Sequence, residues 1–237
     1  MRRILSPFRW LLLTWWAVSA FAFSQEDAAT LLEDVSASVA AIQDVSLLLT
    51  GRLVDQGGSE VTLEIEFLAM PQEQALSAYV LQPDAFADNM IVLDGDVIAN
   101  YTFLTHQVTL FDANDPDAFG GFLQGSAANP AELTLDATVW FDGWNAEIVG
   151  PRDTPAGAAT IVRLENPEAM DVAWVELAVL DEGHLPYEVI LYDVDDRAFA
   201  EIRFENVQVD TGLSRDEVTY LPEDAEIIDE RSEARAP

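Results

Sequence analysis

The chain has 237 residues, 50% of them apolar, with 43 acidic against 11 basic side chains, a net charge of −32 and no cysteine. That balance argues against nucleic acid and anionic lipid surfaces as partners, since both are held by a positive field. The missing cysteine leaves no disulfide framework and no thiol for a lipid tether, and the length and apolar content suit one β-rich domain.

The acidity has two readings, solubility in a saline habitat and an acidic docking patch. Every basic residue is an arginine. Residues 1–22 have the three parts of a secretory signal: Arg2, Arg3 and Arg9, the apolar run 10–18, then Ala20-Phe21-Ala22 as a small-x-small cleavage site. The apolar run is shorter than the roughly 20 residues a membrane-spanning helix needs, so the expected product is exported and soluble after cleavage.

After Ser24, a candidate N-cap, Leu31, Leu32, Val35, Val39 and Ile42 recur at three- and four-residue spacing and predict an amphipathic helix over 26–43. From Val45 the period changes to two. Val45, Leu47, Leu49, Gly51 and Leu53 alternate with other residues, Gln56-Gly57-Gly58-Ser59 turns the chain, and Val61, Leu63, Ile65 and Phe67 alternate with Thr62, Glu64 and Glu66. Such alternation describes antiparallel strands with one dry face. Further strands are expected over 76–81, on both sides of the Asp94-Gly95 hairpin turn, and over 107–111. In that hairpin Val97, Ala99, Tyr101 and Phe103 share one face.

The alternation fails over 112–129, a stretch rich in Asp, Asn, Gly and Pro that carries the apolar island Phe119-Gly120-Gly121-Phe122-Leu123. Asn129-Pro130-Ala131-Glu132 then opens a short helix. A break of this length inside a compact domain reads as a lid, a binding loop or an insertion. Strands resume over 144–149, 158–164, 172–180, 187–192 and 198–209, for about eleven in mainly up-and-down order. Residues 229–237 read as a loose acidic tail.

No motif with catalytic spacing is present. His106 and His184 each stand beside a predicted turn and read as solvated turn histidines. The acids at Asp112, Asp115 and Asp117 lack the glycine and ligand pattern of a calcium loop, and no metal or cofactor is expected. The surplus is apolar. Leu47, Leu49, Leu63, Ile65, Phe67, Tyr101, Phe103, Trp174, Ile202 and Phe204 either pack as ordinary core or line a cavity.

The order of these elements resembles the periplasmic lipoprotein carrier proteins (LolA-like) and their superfamily of lipid-binding half-barrels. The similar stretches are Asp27-Ala28-Ala29 with Leu31 and Leu32, Gln82-Pro83-Asp84, Val92-Leu93-Asp94-Gly95 followed by Tyr101, and Leu213 through Tyr220-Leu221-Pro222 to Ile227-Ile228. The resemblance implies a mainly β, α+β fold: an unclosed antiparallel half-barrel spanning 23–228, with the N-terminal helix and a short helical lid over its apolar face. It implies a monomeric carrier that takes acyl chains of lipoproteins or other lipids into that cavity and moves them across the periplasm without catalysis. Inner-membrane donor and outer-membrane acceptor proteins would be its partners. Phe119, Phe122 and Leu123 fall at the lid position and join the apolar set above as acyl-binding residues. Where the carriers have an arginine that bonds the lid, this chain has Met70 before Pro71, and Arg52 is a candidate substitute. A sensor domain of the same shape that binds a regulatory protein, and a hydrolase with an unrecognised site, are the other readings.

Overall fold

The computed structural model describes residues 25–54, 58–113, 141, 143–167 and 172–231. The signal-like segment, the 112–129 break beyond Ala113 and the short helix expected at Asn129 lie outside these residues.

Helix α1 (Gln25–Ala41) buries Ala28, Val35 and Val39 along one stripe, with Leu31 and Leu32 half-buried beside them. Its apolar spacing is the three-four pattern of a helix packed on one side. Six strands follow as a meander: β1 (Val45–Val54), β2 (Glu60–Met70), β3 (Ala75–Gln82), β4 (Met90–Asp94), β5 (Val97–Thr102) and β6 (Gln107–Asp112). A second meander holds β7 (Asn145–Thr154), β8 (Gly157–Glu165), β9 (Trp174–Leu180), β10 (Pro186–Tyr192) and β11 (Ala198–Val209). The chain continues through the single turn of α2 (Arg215–Val218) to β12 (Glu226–Asp229).

All twelve strands form one sheet in the order β12-β6-β5-β4-β3-β2-β1-β11-β10-β9-β8-β7. The two meanders grow from opposite edges and meet where β1 pairs antiparallel with β11. The sheet does not close, and with α1 laid over one face the molecule is the expected open half-barrel. Eleven strands match the sequence reading. The twelfth, β12, pairs in parallel with β6 and lies across the expected start of the tail: Asp229 sits opposite Leu110, and the Glu230 N–H donates to the Leu110 carbonyl at 2.9 Å.

Register fixes which side chains share a face. Leu49 stands opposite Ile65 and Phe204, Gly51 opposite Leu63 and Ile202, and Val189 opposite Leu177 and Ile202. The same face continues through Val80, Ala78 and Leu76 to Leu93, Ile98 and Phe111. We call this the inner face; under α1 its core contains Val162, Leu164, Val175, Leu177 and Val189. The far face has two halves. Over β4 to β6 the chain after α2 covers Val92, Ala99, Tyr101 and Val108 with Leu221 and Ala225. Over β8 to β10 it carries a small cluster of Ala159, Ile161, Ala178 and Tyr187.

Two features hold the meanders together. A Cβ on Gly51 would lie 2.5 Å from the Glu201 carbonyl oxygen, so only glycine lets β1 approach β11 this closely. At the end of the same pair the buried Asp44 carboxylate accepts from the Thr211 N–H at 2.9 Å, the Thr211 hydroxyl at 3.0 Å and the Gly212 N–H at 3.0 Å. Its own carbonyl accepts from the Asp210 N–H at 2.8 Å, and the Asp210 carboxylate accepts from the Gln43 N–H at 2.8 Å. Burial acts to raise the Asp44 carboxyl, but the hydrogen bonds from Gly212 and Thr211 outweigh it and hold the group below its ordinary value of 3.8.

Three outcomes are expected. Gly51→Ala should destabilise by about 1–3 kcal/mol through overpacking, and Leu177→Ala by about 3 kcal/mol through the cavity it leaves, both read by urea unfolding. A depressed folded-state pKa contributes stability that is present above the ordinary value and lost as pH falls through the folded one. The protein should therefore weaken below about pH 4, and Asp44→Asn should be less stable at pH 7 and less sensitive to acid. Equal acid sensitivity in the two proteins would remove Asp44 from this role.

Candidate functional site

The apolar inner face is the candidate site. Beneath the end of α1 an apolar void of about 40 Å³ is lined by Val39, Ile42, Val45, Leu47, Leu185, Pro186, Phe204 and Val207. Leu47 and Phe204 are sequence-expected acyl-binding residues that line it, and Phe67 packs beside it against Ile42, Val45, Ala69 and Leu76. Further along, Leu49, Leu63, Ile65 and Ile202 form a half-buried strip on the same face. The strip continues onto Ile91, Leu93, Ile98 and Phe111 and ends at the polar pair Asn100 and Thr109.

Several expected site residues stand elsewhere. Tyr101 alternates with Ile98 and Asn100 along β5 and faces the other way, buried under the C-terminal segment, with its hydroxyl 3.0 Å from the His106 Nδ1. Val97, Ala99 and Tyr101 do share a face, as their spacing predicts, but it is the far one. Phe103 lies past the end of β5 in the turn to β6 and is 56% exposed. Trp174 is also on the far face: Val175, Leu177 and Val179 take the inner positions of β9. Its ring stacks on Tyr192 with centroids 3.5 Å apart, the Arg163 guanidinium sits 4.3 Å from its centroid, and its Nε1 donates to Asp196 at 2.9 Å. Neither Tyr101 nor Trp174 can line a cavity on the inner face. Phe119, Phe122 and Leu123 lie outside the described residues.

The inner-face residues that sequence reasoning missed, Ile91, Leu93, Ile98 and Phe111, are all apolar strand positions. Their signal is the opposite alternation phase of the hairpin around Gly95, which two apolar faces make ambiguous.

Met70 ends β2 and is half-buried, followed by the single helical turn Pro71–Glu73. Arg52 does not reach this corner; it bridges Glu60 at 3.5 Å and Glu201 at 3.4 Å on the far face. The guanidinium beside Pro71 is that of Arg215 in α2. It donates to the Glu73 carbonyl at 3.0 Å, lies 3.4 Å from the Glu73 carboxylate and pairs with Asp94 at the β4–β5 turn. Ser214 caps this turn in a capping box with Glu217, whose carboxyl is held below its ordinary value by the Ser214 hydroxyl and N–H.

His106 is not merely solvated: besides Tyr101, its Nε2 lies 3.2 Å from Asp224. Among the described residues no group of three or more His, Asp or Glu side chains is placed to hold a metal ion, and no helix is long and apolar enough to cross a membrane.

No family model matches the chain, and no curated protein matches it. Solved structures do. An uncharacterized conserved protein from Thermus thermophilus superposes with a TM-score of 0.60 at 17% identity, covering 85% of this chain and 98% of its own. MucB from Pseudomonas aeruginosa, in its complex with MucA, superposes with a TM-score of 0.51 at 16% identity over 82% of this chain, which spans 61% of the MucB chain. A LolA superfamily protein from Nitrosomonas europaea lies further off, with a TM-score of 0.41 at 12% identity over 82% of this chain and 97% of its own. The half-barrel fold is therefore shared with the first two of these structures.

Because the Trp174 stack belongs to the far face, Trp174→Ala should cost about 1 kcal/mol of stability from the lost aromatic pair and leave uptake of an apolar fluorescent dye unchanged. Loss of dye uptake at unchanged circular dichroism would put Trp174 in the cavity after all.

Proposed function

We propose that this chain is a non-catalytic lipid carrier that holds acyl chains of lipoproteins or other lipids against the inner face of its half-barrel and moves them through the periplasm. The observation that supports this most is the half-buried strip of Leu49, Leu63, Ile65 and Ile202, apolar side chains on the inner face but outside the core packed beneath α1. Each CH₂ transferred from water to such a surface gains about 0.8 kcal/mol, so a long acyl chain is a strong ligand for it without any polar contact. The polar pair at Asn100 and Thr109 would face the end of the chain nearer its head group. The resemblance of the sequence to the LolA-like carriers supports the reading.

The deciding experiment is native mass spectrometry of the protein purified gently from its own envelope, followed by lipid extraction. A bound acylated species is the expected result, and a bare protein would count against carriage. Leu63→Asp should lower acyl-ligand affinity at least tenfold with little change in circular dichroism; normal binding by this variant would refute the inner-face assignment.

A second reading, a regulatory domain that binds a protein partner, is favoured by one observation: the MucB structure was solved in complex with MucA. On that reading a protein, and no lipid, should copurify.

A further inference from the structure

The far face over β8 to β11 carries a second, polar site. A cleft of about 250 Å³ opens there between the β7–β8 hairpin and strands β10 and β11. Its base is ionic. Glu188, 8% exposed, accepts from Arg152 Nη1 at 3.1 Å and from Arg203 Nε at 2.7 Å. Arg152 also pairs with Glu176, and Arg203 with Glu201.

Three properties of this cleft remain unused by the fold. Tyr187 is 6% exposed, its ring packed on Ala159, Ile161 and Ala178, yet it lines the cleft and its hydroxyl has no hydrogen bond among the described residues. It is the extra residue of an irregularity between Pro186 and Glu188, which lets two successive side chains face the same way. Second, Glu205, which shares the far face with Arg203, lines the cleft with no ion pair or hydrogen bond among the described residues. Third, the charge does not cancel. With Arg52, which bridges Glu60 and Glu201, three guanidiniums meet five carboxylates, Glu205 included.

We propose that this cleft binds a cationic side chain, a guanidinium or ammonium group of a peptide, with Glu205 pairing the charge and the Tyr187 hydroxyl accepting one of its N–H groups. A small anion is disfavoured because each guanidinium at the base already serves two carboxylates. A neutral apolar ligand would strand the Tyr187 hydroxyl and the Glu205 carboxylate. The site is separate from the inner face, so it stands whether or not the chain carries lipid.

The test is a titration of the purified protein with N-acetyl-arginine methylamide, a monocation too small to profit from diffuse attraction to the acidic surface, followed by amide NMR shifts. Saturable shifts at Thr154, Tyr187 and Glu205 are expected. Tyr187→Phe, which keeps the ring and its packing, should weaken binding roughly fivefold, and Glu205→Gln roughly tenfold, with affinity falling as salt rises. Asp216→Asn in α2, which removes one acid elsewhere, should leave binding unchanged. Shifts that grow without saturating, equal affinity in Tyr187→Phe, or equal weakening by Asp216→Asn would each overturn the proposal.

Discussion

The pairing of β1 with β11 is the constraint on which the rest of this structure depends. Two meanders of six and five strands approach from opposite edges of the sheet, and this ladder is where they become one surface. Backbone hydrogen bonds alone would let the ladder slide by a residue pair at modest cost. Gly51 and Asp44 remove that freedom. Gly51 allows a backbone approach that any side chain would block, and Asp44 fixes the far end by accepting from two successive N–H groups of the chain leaving β11. A buried carboxylate without such partners would be strongly unfavourable, so the register that supplies them is favoured over its neighbours. Gly212, at φ 84°, turns its N–H toward that carboxylate in a conformation that favours glycine.

The same clasp sends the chain to the far face. From Gly212 it runs through α2, where Arg215 ties it to Glu73 and Asp94, then lays Leu221 and Ala225 over β4 to β6, and ends as a parallel strand beside β6. One half of the far face is therefore covered by chain, and the other half by ion pairs. This division explains how a sheet can have apolar residues at alternate and at intervening positions without exposing them: Val92 and Tyr101 are buried by the C-terminal segment, while Leu93 and Ile98 belong to the inner face.

It also explains what the sequence made legible. Strands with one wet face show it directly: in β2 the acids Glu64 and Glu66 mark the far side, and Leu63, Ile65 and Phe67 take the inner one. In β5 and β9 both faces are largely apolar, and alternation then carries no sign. Size and phase point Tyr101 and Trp174 toward the cavity, whereas the decision rests on covering chain far away in sequence. Strand β12 is hidden for a different reason. Four residues with two acids have little strand signal of their own, and their pairing in parallel with β6 depends on a segment that only tertiary structure brings there. The capping box at Ser214 and Glu217 is, by contrast, readable from spacing alone.

The arginines bear on the acidity. Each of the seven among the described residues, at 52, 152, 163, 197, 203, 215 and 231, is paired with at least one carboxylate. Most of these pairs are partly exposed and individually contribute little; together they concentrate cations on the far face and at the C-terminal segment. The inner face is left to apolar contacts, and this sets the energetics of opening it. Lifting α1 would expose Ala28, Val35 and Val39 together with Leu31 and Leu32, a cost on the order of 8 kcal/mol. On the carrier reading, a sixteen-carbon acyl chain laid along the strip of Leu49, Leu63, Ile65 and Ile202, outside that core, would gain on the order of 13 kcal/mol if fully buried, and less where the strip stays wet, without lifting the helix.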